Sequence, residues 1–173
     1  MSGSLNYVKG DATQPVGPEG PKFIIHCCND IGVWGAGFVL AISRRWPEPE
    51  EAYYAWEKEK NGLRLGHTQI VKVEENLWVV NMIGQRGVGW DPNHVWPHKR
   101  TPPIRYKAIR HALREVEFET RQPRHQGLYK RVTVHCPRFG AGLAGGDWNV
   151  IEQLIREELV ERGVHVTVYD FDG

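Results

Sequence analysis

The sequence predicts one α/β domain in which helices cover both faces of a mixed β-sheet. Segments with the composition of strands alternate along the chain with amphipathic segments, and this alternation is typical of α/β folds. The run "KFIIHCCN" (22–29) is mostly apolar without regular alternation, as expected for a central strand covered on both faces. The length of 173 residues fits a single domain, which we expect to span residues 1–173.

Six segments have the pattern of β-strands. Each is a short run of apolar and β-branched residues that ends at turn residues, such as Glu75 and Asn76 between the third and fourth segments. The predicted strands cover residues 5–8, 22–29, 67–74, 77–84, 131–139 and 164–171.

Four longer segments predict helices. The first opens directly from a glycine loop and ends before Pro47, and the last has Asp147 as its expected N-cap and Gly163 beyond its end. The predicted helices cover residues 35–46, 49–60, 102–120 and 147–163. The apolar face of the last helix is expected to consist of Val150, Ile151, Leu154, Ile155 and Leu159.

Two segments, 84–101 and 122–130, show neither pattern. The first is too long for an ordinary connection, and it is rich in aromatic residues and histidine. We interpret it either as a lid over a binding site or as a mobile insertion. Its aromatic and histidine residues are Trp90, His94, Trp96 and His98.

Composition limits the classes of function. The formal charge is +1, from 22 Lys and Arg against 21 Asp and Glu, so no overall attraction to nucleic acid or to an anionic membrane is expected. The three cysteines are few and odd in number, and the amino terminus lacks the apolar segment of a secretory signal. No apolar run approaches the roughly 18 residues of a membrane span. We expect a cytoplasmic protein without a membrane partner.

Two glycine-rich loops carry the strongest functional signal. Residues 29–37 and 139–147 each follow a predicted strand and precede a predicted helix. Helix N-termini and bare backbone amides that follow strands form anion sites, and two such loops together indicate a diphosphate between them.

Other chemistries fit the sequence less well. "GAGLAG" (140–145) matches G-x-G-x-x-G, but the chain ends soon after the next strand, whereas a dinucleotide-binding unit normally begins its sheet. Neither loop continues as the Gly-Lys-Ser/Thr of a P-loop. Cys136 follows no nucleophile pattern and is interpreted as a small buried residue. The adjacent pairs of histidine and cysteine have no metal-ligand spacing, so we expect neither a metal nor a cofactor.

Four motifs then point to a family. They are "YVKGDAT" (7–13), "HCCNDIGVWGAGF" (26–38), "PRFGAGLAGGDW" (137–148) and "VTVYDF" (166–171). In order and spacing they resemble the macrodomains, and within them the ALC1-like class, which includes terminal ADP-ribose protein glycohydrolase and yeast ADP-ribose-1″-phosphate phosphatase. The resemblance runs from Asn6 to Phe171 and implies a three-layer α/β/α sandwich with a central mixed sheet and a cleft for ADP-ribose.

The resemblance also implies roles for individual residues. Asp11 would accept a hydrogen bond from the adenine amino group, and Asn29 would bond to the distal ribose. The first loop would follow the diphosphate and this ribose, and the second loop would hold the diphosphate from the other side. The matching positions are Asp11, Ala12, Asn29, Trp34, Gly35, Ala36, Gly37, Phe38, Pro137, Arg138, Phe139, Gly140, Ala141, Gly142 and Leu143.

Catalysis is less directly indicated. The resemblance to the glycohydrolase branch implies a mechanism in which a lysine attacks the distal ribose with help from an aspartate. This sequence has Gly84 where the lysine would stand and Ala144 where the aspartate would stand. The catalytic candidates are Asn29, Asp147 and Arg86, although Asp147 also suits a helix cap and Arg86 an exposed loop.

The sequence leaves three functions open. The first is a hydrolase that removes ester-linked mono-ADP-ribose from protein by metal-free attack of water. The second is a non-catalytic reader of ADP-ribose marks, and the third is a phosphatase for ADP-ribose-1″-phosphate. The expected partner is ADP-ribose or an ADP-ribosylated protein, with nucleic acid only as an ADP-ribosylated target, and the chain is expected to be a monomer.

Overall fold

The computed structural model describes residues 2–88, 91–95, 100–142 and 144–171, with only the backbone given for residues 91–95, 100 and 101. The strands are β1 (Ser4–Lys9), β2 (Lys22–Asn29), β3 (Thr68–Glu74), β4 (Leu77–Gln85), β5 (Asp91–Val95), β6 (Arg100–Thr101), β7 (Thr133–Cys136) and β8 (His165–Asp170). The helices are α1 (Phe38–Arg45), α2 (Glu48–Glu57), α3 (Tyr106–Thr120), α4 (Pro123–Gln126) and α5 (Trp148–Glu158), followed by a 3₁₀ turn at Val160–Arg162.

A six-stranded mixed sheet in the order β1-β8-β7-β2-β4-β3 forms the centre of the fold. Neighbouring strands are parallel from β1 to β4, and β3 is antiparallel to β4. The short strands β5 and β6 pair separately. Because the central strands are parallel, β2 and β7 both end at the same edge of the sheet, where ligands bind in open α/β folds.

The two faces of the sheet bury separate clusters of apolar side chains. On β2, Phe23 and Ile25 pack in the cluster that contains α3 and α5 side chains. The neighbouring residues Ile24 and Cys28 pack in the cluster that contains α1 and α2 side chains. Successive residues of a strand point to opposite faces, which explains the uninterrupted apolar run. The expected three-layer α/β/α sandwich is confirmed.

The predicted strands and long helices are also confirmed, with shifts at their ends. The unassigned segment 122–130 contains α4, and β4 extends into the other unassigned segment as far as Gln85. The placement of Val150 on the apolar face of α5 is wrong, because this side chain is 39% exposed. Val150 lies about 100° around the helix from Ile151 and therefore outside the buried stripe. Among the described residues, no helix is both long and apolar enough to cross a membrane.

Candidate functional site

The two glycine-rich loops meet at the carboxyl edge of the parallel strands. They enclose a cavity of about 190 Å³ between the start of α1 and the end of β7. The cavity is lined by Ala36, Gly37, Phe38 and Val39 from the first loop and helix, by Pro137, Arg138, Phe139, Gly140, Gly142 and Ala144 from the second loop, and by His26, Cys27 and Gln85 from the strands.

The N-terminus of α1 forms one wall of this cavity. The helix has no side-chain cap and no acidic residue in its first turn, and its N-cap Gly37 has a φ of 81° that favours glycine. Among the described residues, its first amides therefore have no side-chain acceptor, and the positive end of the helix dipole lies at the cavity. This arrangement suits an anionic group.

The second loop brings bare backbone to the opposite wall. Gly140 has a φ of 75°, and a Cβ there would lie 2.7 Å from Ile104 Cδ1 and 3.0 Å from Ile151 Cδ1. The positive φ and these close contacts favour glycine at this position. A Cβ at Gly142 would meet no atom within 4 Å, so this residue faces open space beside the cavity.

Asn29 holds the first loop in shape. Its Oδ1 accepts hydrogen bonds from Ile31 N (3.1 Å), from Val33 N (3.1 Å) and from the Tyr53 hydroxyl (2.7 Å). Its Nδ2 donates to Val33 O at 2.6 Å. Both polar atoms of this buried side chain are therefore engaged within the chain, and the amide nitrogen carries a second N–H. The contact of Asn29 with the ribose and its catalytic role stay predictions.

Trp34 packs into the core and not against the cavity. Its indole Nε1 donates to Ser43 Oγ at 2.8 Å, and its ring lies edge-on to His26. Trp34, Gly35 and Ala141 do not line the cavity, although they belong to the two loops. Their predicted contacts with ADP-ribose stay predictions.

Asp11 lies at the end of β1, beside the end of β8, and outside the cavity. Its Oδ1 accepts from Thr13 N (2.8 Å) and Thr13 Oγ1 (2.7 Å), while Oδ2 lies 3.9 Å from Arg45 Nη2. Ala12 is buried beneath this turn. One carboxylate oxygen is thus held by the turn, and the other has only a distant partner. The adenine contact predicted for Asp11 stays a prediction.

Arg138 connects the cavity to the β1–β8 edge. Its Nε donates to Asp170 Oδ1 at 2.6 Å, and its guanidinium lies 5.1 Å from the Tyr7 ring centroid and 5.7 Å from that of Trp148. The hydrogen bond from Arg138 lowers the pKa of Asp170, because the guanidinium stabilises the charged carboxylate. A ligand phosphate would therefore share Arg138 with Asp170.

The strand residues of the cavity do not ionise near neutral pH. Burial lowers the pKa of His26 to about 4, and its Nε2 lies 2.6 Å from Asn81 Oδ1. Burial also raises the pKa of Cys27 to about 12 and raises that of Cys136. Both thiols are protonated at pH 7, in keeping with the interpretation of Cys136 as a buried structural residue.

The positions of the two missing catalytic residues are closely packed. A Cβ at Gly84 would lie 2.7 Å from both Cys27 Sγ and Ile109 Cδ1. Ala144 is buried, and its carbonyl accepts from Ile104 N at 3.1 Å. A lysine at the first position would require Cys27 and Ile109 to move. The structure thus offers neither the side chain nor the space for it.

Asp147 and Arg86 lie away from the cavity lining. Asp147 caps α5, because its Oδ1 accepts from Asn149 N at 2.9 Å. This confirms the predicted N-cap, while a catalytic role for Asp147 stays a prediction. Arg86 donates its backbone N–H to Pro103 O at 2.8 Å and is exposed. Leu143, Trp90, Trp96 and His98 lie outside the described residues, as does the side chain of His94.

Sequence reasoning did not include His26, Cys27 and Gln85 among the site residues. Their positions could have been inferred, because side chains near the carboxyl ends of β2 and β4 must face the crevice that follows. Gln85 Nε2 donates to Gly87 O at 2.9 Å, which fixes the orientation of its amide. Phe171 directly follows β8, and 70% of its surface is exposed.

The fold and cavity define a class of protein, namely α/β/α domains with a cavity suited to an anionic group at the carboxyl edge of a mixed sheet. Solved structures make the class more specific. A protein of unknown function from Bacteroides thetaiotaomicron is 48% identical, with a TM-score of 0.86, and covers 98% of this chain and 99% of its own. A macrodomain protein from Streptomyces coelicolor is 45% identical, with a TM-score of 0.77, and covers 96% of this chain and 99% of its own. The chain belongs to the macrodomain family, as its motifs predicted.

Curated relatives agree with this assignment. The chromodomain-helicase-DNA-binding protein 1-like of Mus musculus is 29% identical over 98% of this chain, which spans only 18% of that protein. The DNA ADP-ribosyl glycohydrolase of Thermus aquaticus is 24% identical over 96% of this chain, which spans 41% of that protein. No protein-family model matches the chain.

Proposed function

We propose that this macrodomain binds ADP-ribose between its two glycine-rich loops and releases it from modified protein by hydrolysis of an ester linkage. The observation that carries the proposal is that two walls of the cavity face each other with backbone groups that have no side-chain acceptor among the described residues. The uncapped N-terminus of α1 lies on one side of the cavity, and the backbone around Gly140 and Gly142 lies on the other. A diphosphate is the part of ADP-ribose that such walls suit.

The size of the cavity suggests which parts of ADP-ribose would lie inside it and which would lie outside. At about 190 Å³ it is smaller than the roughly 300–1,000 Å³ of ordinary small-molecule sites. It would hold the diphosphate and the distal ribose, with this ribose towards Cys27 and Gln85. The adenine would lie outside, towards Asp11 and the exposed ring of Phe171. Aromatic rings of this kind stack on bases.

An ester linkage suits a site with little acid–base chemistry. The leaving group is then a side-chain carboxylate, with a pKa of about 4.3 for glutamate, which departs without being protonated. Water would add its oxygen to the anomeric carbon as the bond from that carbon to the carboxylate oxygen breaks. The proton of the attacking water would pass to solvent. Free ADP-ribose and the unmodified carboxylate are the products.

Gln85 is the side chain best suited to position this water. Its amide nitrogen is held by Gly87 O, so its Oε1 has a defined direction as an acceptor. It lines the cavity beside Gly84, where the lysine of the glycohydrolase branch would stand. We expect Gln85→Ala to reduce turnover more than ADP-ribose binding.

A reader of ADP-ribose marks is the second candidate. No aspartate, glutamate or lysine occurs among the described residues that line the cavity, and His26 is held neutral by burial. Such a site favours binding over catalysis of linkages that need a proton donor. Similarity to a protein named as a DNA ADP-ribosyl glycohydrolase supports the hydrolase instead. For the chain as a whole we propose a monomer that acts in the cytoplasm.

The test is to incubate the protein with a target that carries glutamate-linked mono-ADP-ribose and to quantify free ADP-ribose by mass spectrometry. A second target with a serine-linked mark provides the comparison, since its alkoxide leaving group requires protonation. The proposal predicts release from glutamate and not from serine. Retention of the glutamate-linked target on immobilised protein without release would identify a reader. If the protein neither releases ADP-ribose from the glutamate-linked target nor retains that target, the result contradicts both the hydrolase and the reader.

A further inference from the structure

A cluster of two histidines and a glutamate lies outside the ADP-ribose cavity. His67 precedes β3, whereas His111 and Glu115 are one turn apart on α3. One nitrogen of each ring and one carboxylate oxygen lie within 4.8 Å of one another. None of the three residues lines the cavity between the glycine-rich loops, and neither of the proposed functions uses them.

The distances within the cluster are close to those around a metal ion. Glu115 Oε2 lies 3.2 Å from His67 Nδ1 and 3.7 Å from His111 Nδ1. Ligand bonds of about 2.0–2.2 Å at tetrahedral angles place neighbouring ligand atoms roughly 3.3 Å apart. Small rotations of these partly exposed side chains would therefore allow them to surround one ion.

Other contacts orient the glutamate. Glu115 Oε1 accepts from Thr68 N at 2.9 Å and from Thr68 Oγ1 at 2.8 Å, which leaves Oε2 directed at the histidines. Hydrogen bonds of this kind orient the ligands of known metal sites. His111 Nδ1, the nitrogen that lies near Glu115 Oε2, is also 2.6 Å from Gly66 O. Metal binding through Nδ1 would replace its contact with this carbonyl.

We propose that His67, His111 and Glu115 form a binding site for a divalent transition metal, with zinc as the best fit. Two imidazoles and a carboxylate are borderline ligands that suit Zn²⁺, whereas Mg²⁺ and Ca²⁺ prefer oxygen alone. His111 and Glu115 also line an open groove of about 850 Å³, so a water molecule can fill the fourth position. The ion would join the edge strand β3 to α3.

The first experiment is calorimetric titration of the untagged, chelator-treated protein with ZnCl₂. We expect saturable 1:1 binding in the micromolar range or tighter. Glu115→Gln should weaken the affinity by at least about tenfold. This variant keeps an oxygen to accept both bonds from Thr68, so it should fold normally.

His111→Asn provides a second variant, because an asparagine amide can still donate to Gly66 O. It should weaken zinc binding to a similar extent. His165→Asn is the matched control at an exposed histidine outside the cluster, and it should bind zinc as the wild type does. Equal zinc affinity in the wild type and both cluster variants, or a wild type without saturable 1:1 binding, would overturn the proposal.

Two further readouts separate a defined site from loose surface binding. Co²⁺ in place of Zn²⁺ should give the intense visible absorption of a four-coordinate site in the wild type and not in Glu115→Gln. Zinc at about 100 times its dissociation constant should raise the melting temperature of the wild type by at least about 2 °C and that of Glu115→Gln by no more than about half as much. A six-coordinate Co²⁺ spectrum identical in both proteins would contradict the site.

Discussion

The helices α1 and α5 begin in the same setting but differ at their N-termini. Each follows a glycine-rich loop at the carboxyl end of a parallel strand. The first turn of α5 is capped by Asp147, whose Oδ1 lies 2.9 Å from Asn149 N. The first turn of α1 has no side-chain cap and lines the cavity. The comparison shows that a glycine-rich loop before a helix does not by itself make an anion site. The first turn must also be left without a side-chain cap, as in α1.

The largest effect is expected at the wall opposite α1. Gly142→Glu introduces bulk and negative charge beside the cavity, so ADP-ribose affinity measured by calorimetry should fall at least about 100-fold. The fold should tolerate the change, because a Cβ at this position meets no atom within 4 Å. Gly142→Ala should bind nearly as well as the wild type. Unchanged affinity in Gly142→Glu would show that the ligand binds elsewhere.

A charge in the first turn of each helix tests the comparison directly. Leu40 and Val150 are the third residues of α1 and α5, and both are exposed. Leu40→Glu should weaken ADP-ribose binding about fivefold, because its carboxylate repels the diphosphate at the same helix terminus. Val150→Glu, the matched change on α5, should leave the affinity unchanged. Leu40→Gln controls for the loss of the apolar side chain. An equal loss of affinity in Leu40→Glu and Val150→Glu would show that the two helix N-termini do not differ in ligand binding.

Removal of the cap on α5 should affect stability and not binding. Asp147→Ala is expected to lower the free energy of unfolding by about 1 kcal/mol in urea titrations, since Asn149 N loses its acceptor. Asp147→Asn retains a capping oxygen and should be close to the wild type. ADP-ribose release should change less than twofold in both variants. A large loss of release with normal stability would instead make Asp147 catalytic.

The smallest effect is expected from pH. The affinity for ADP-ribose should vary less than about twofold between pH 6.5 and 8.5, because the pKa of His26 is lowered to about 4 and that of Cys27 is raised to about 12. Calorimetry at four pH values would measure this. A strong change near pH 7 would reveal a titrating group that the described lining lacks. Lower pH is unsuitable for this measurement, because the folded chain becomes less stable. Histidine in the unfolded chain takes up a proton near pH 6.5, whereas buried His26 does so only near pH 4, so the free energy of unfolding falls as the pH is lowered from 6.5 to 4.

The sequence predicted the layers of this fold well and the use of individual side chains less well. The apolar runs of β2 and β4 and the cap at Asp147 depend on local patterns, which a single sequence displays. The engagement of Asn29 depends on Tyr53, which lies 24 residues further along the chain. Likewise, the cluster of His67 and His111 forms only when β3 packs beside α3. Contacts of this kind are fixed by tertiary packing and leave no periodic signal.

In the proposed complex, the two glycine-rich loops hold the diphosphate of the ligand. Calorimetry with ADP-ribose and with adenosine on the wild-type chain measures this most directly. We expect ADP-ribose to bind at least about 100-fold more tightly, because adenosine has no anionic group to place at the N-terminus of α1. Equal affinities for the two ligands would contradict a diphosphate site between the loops.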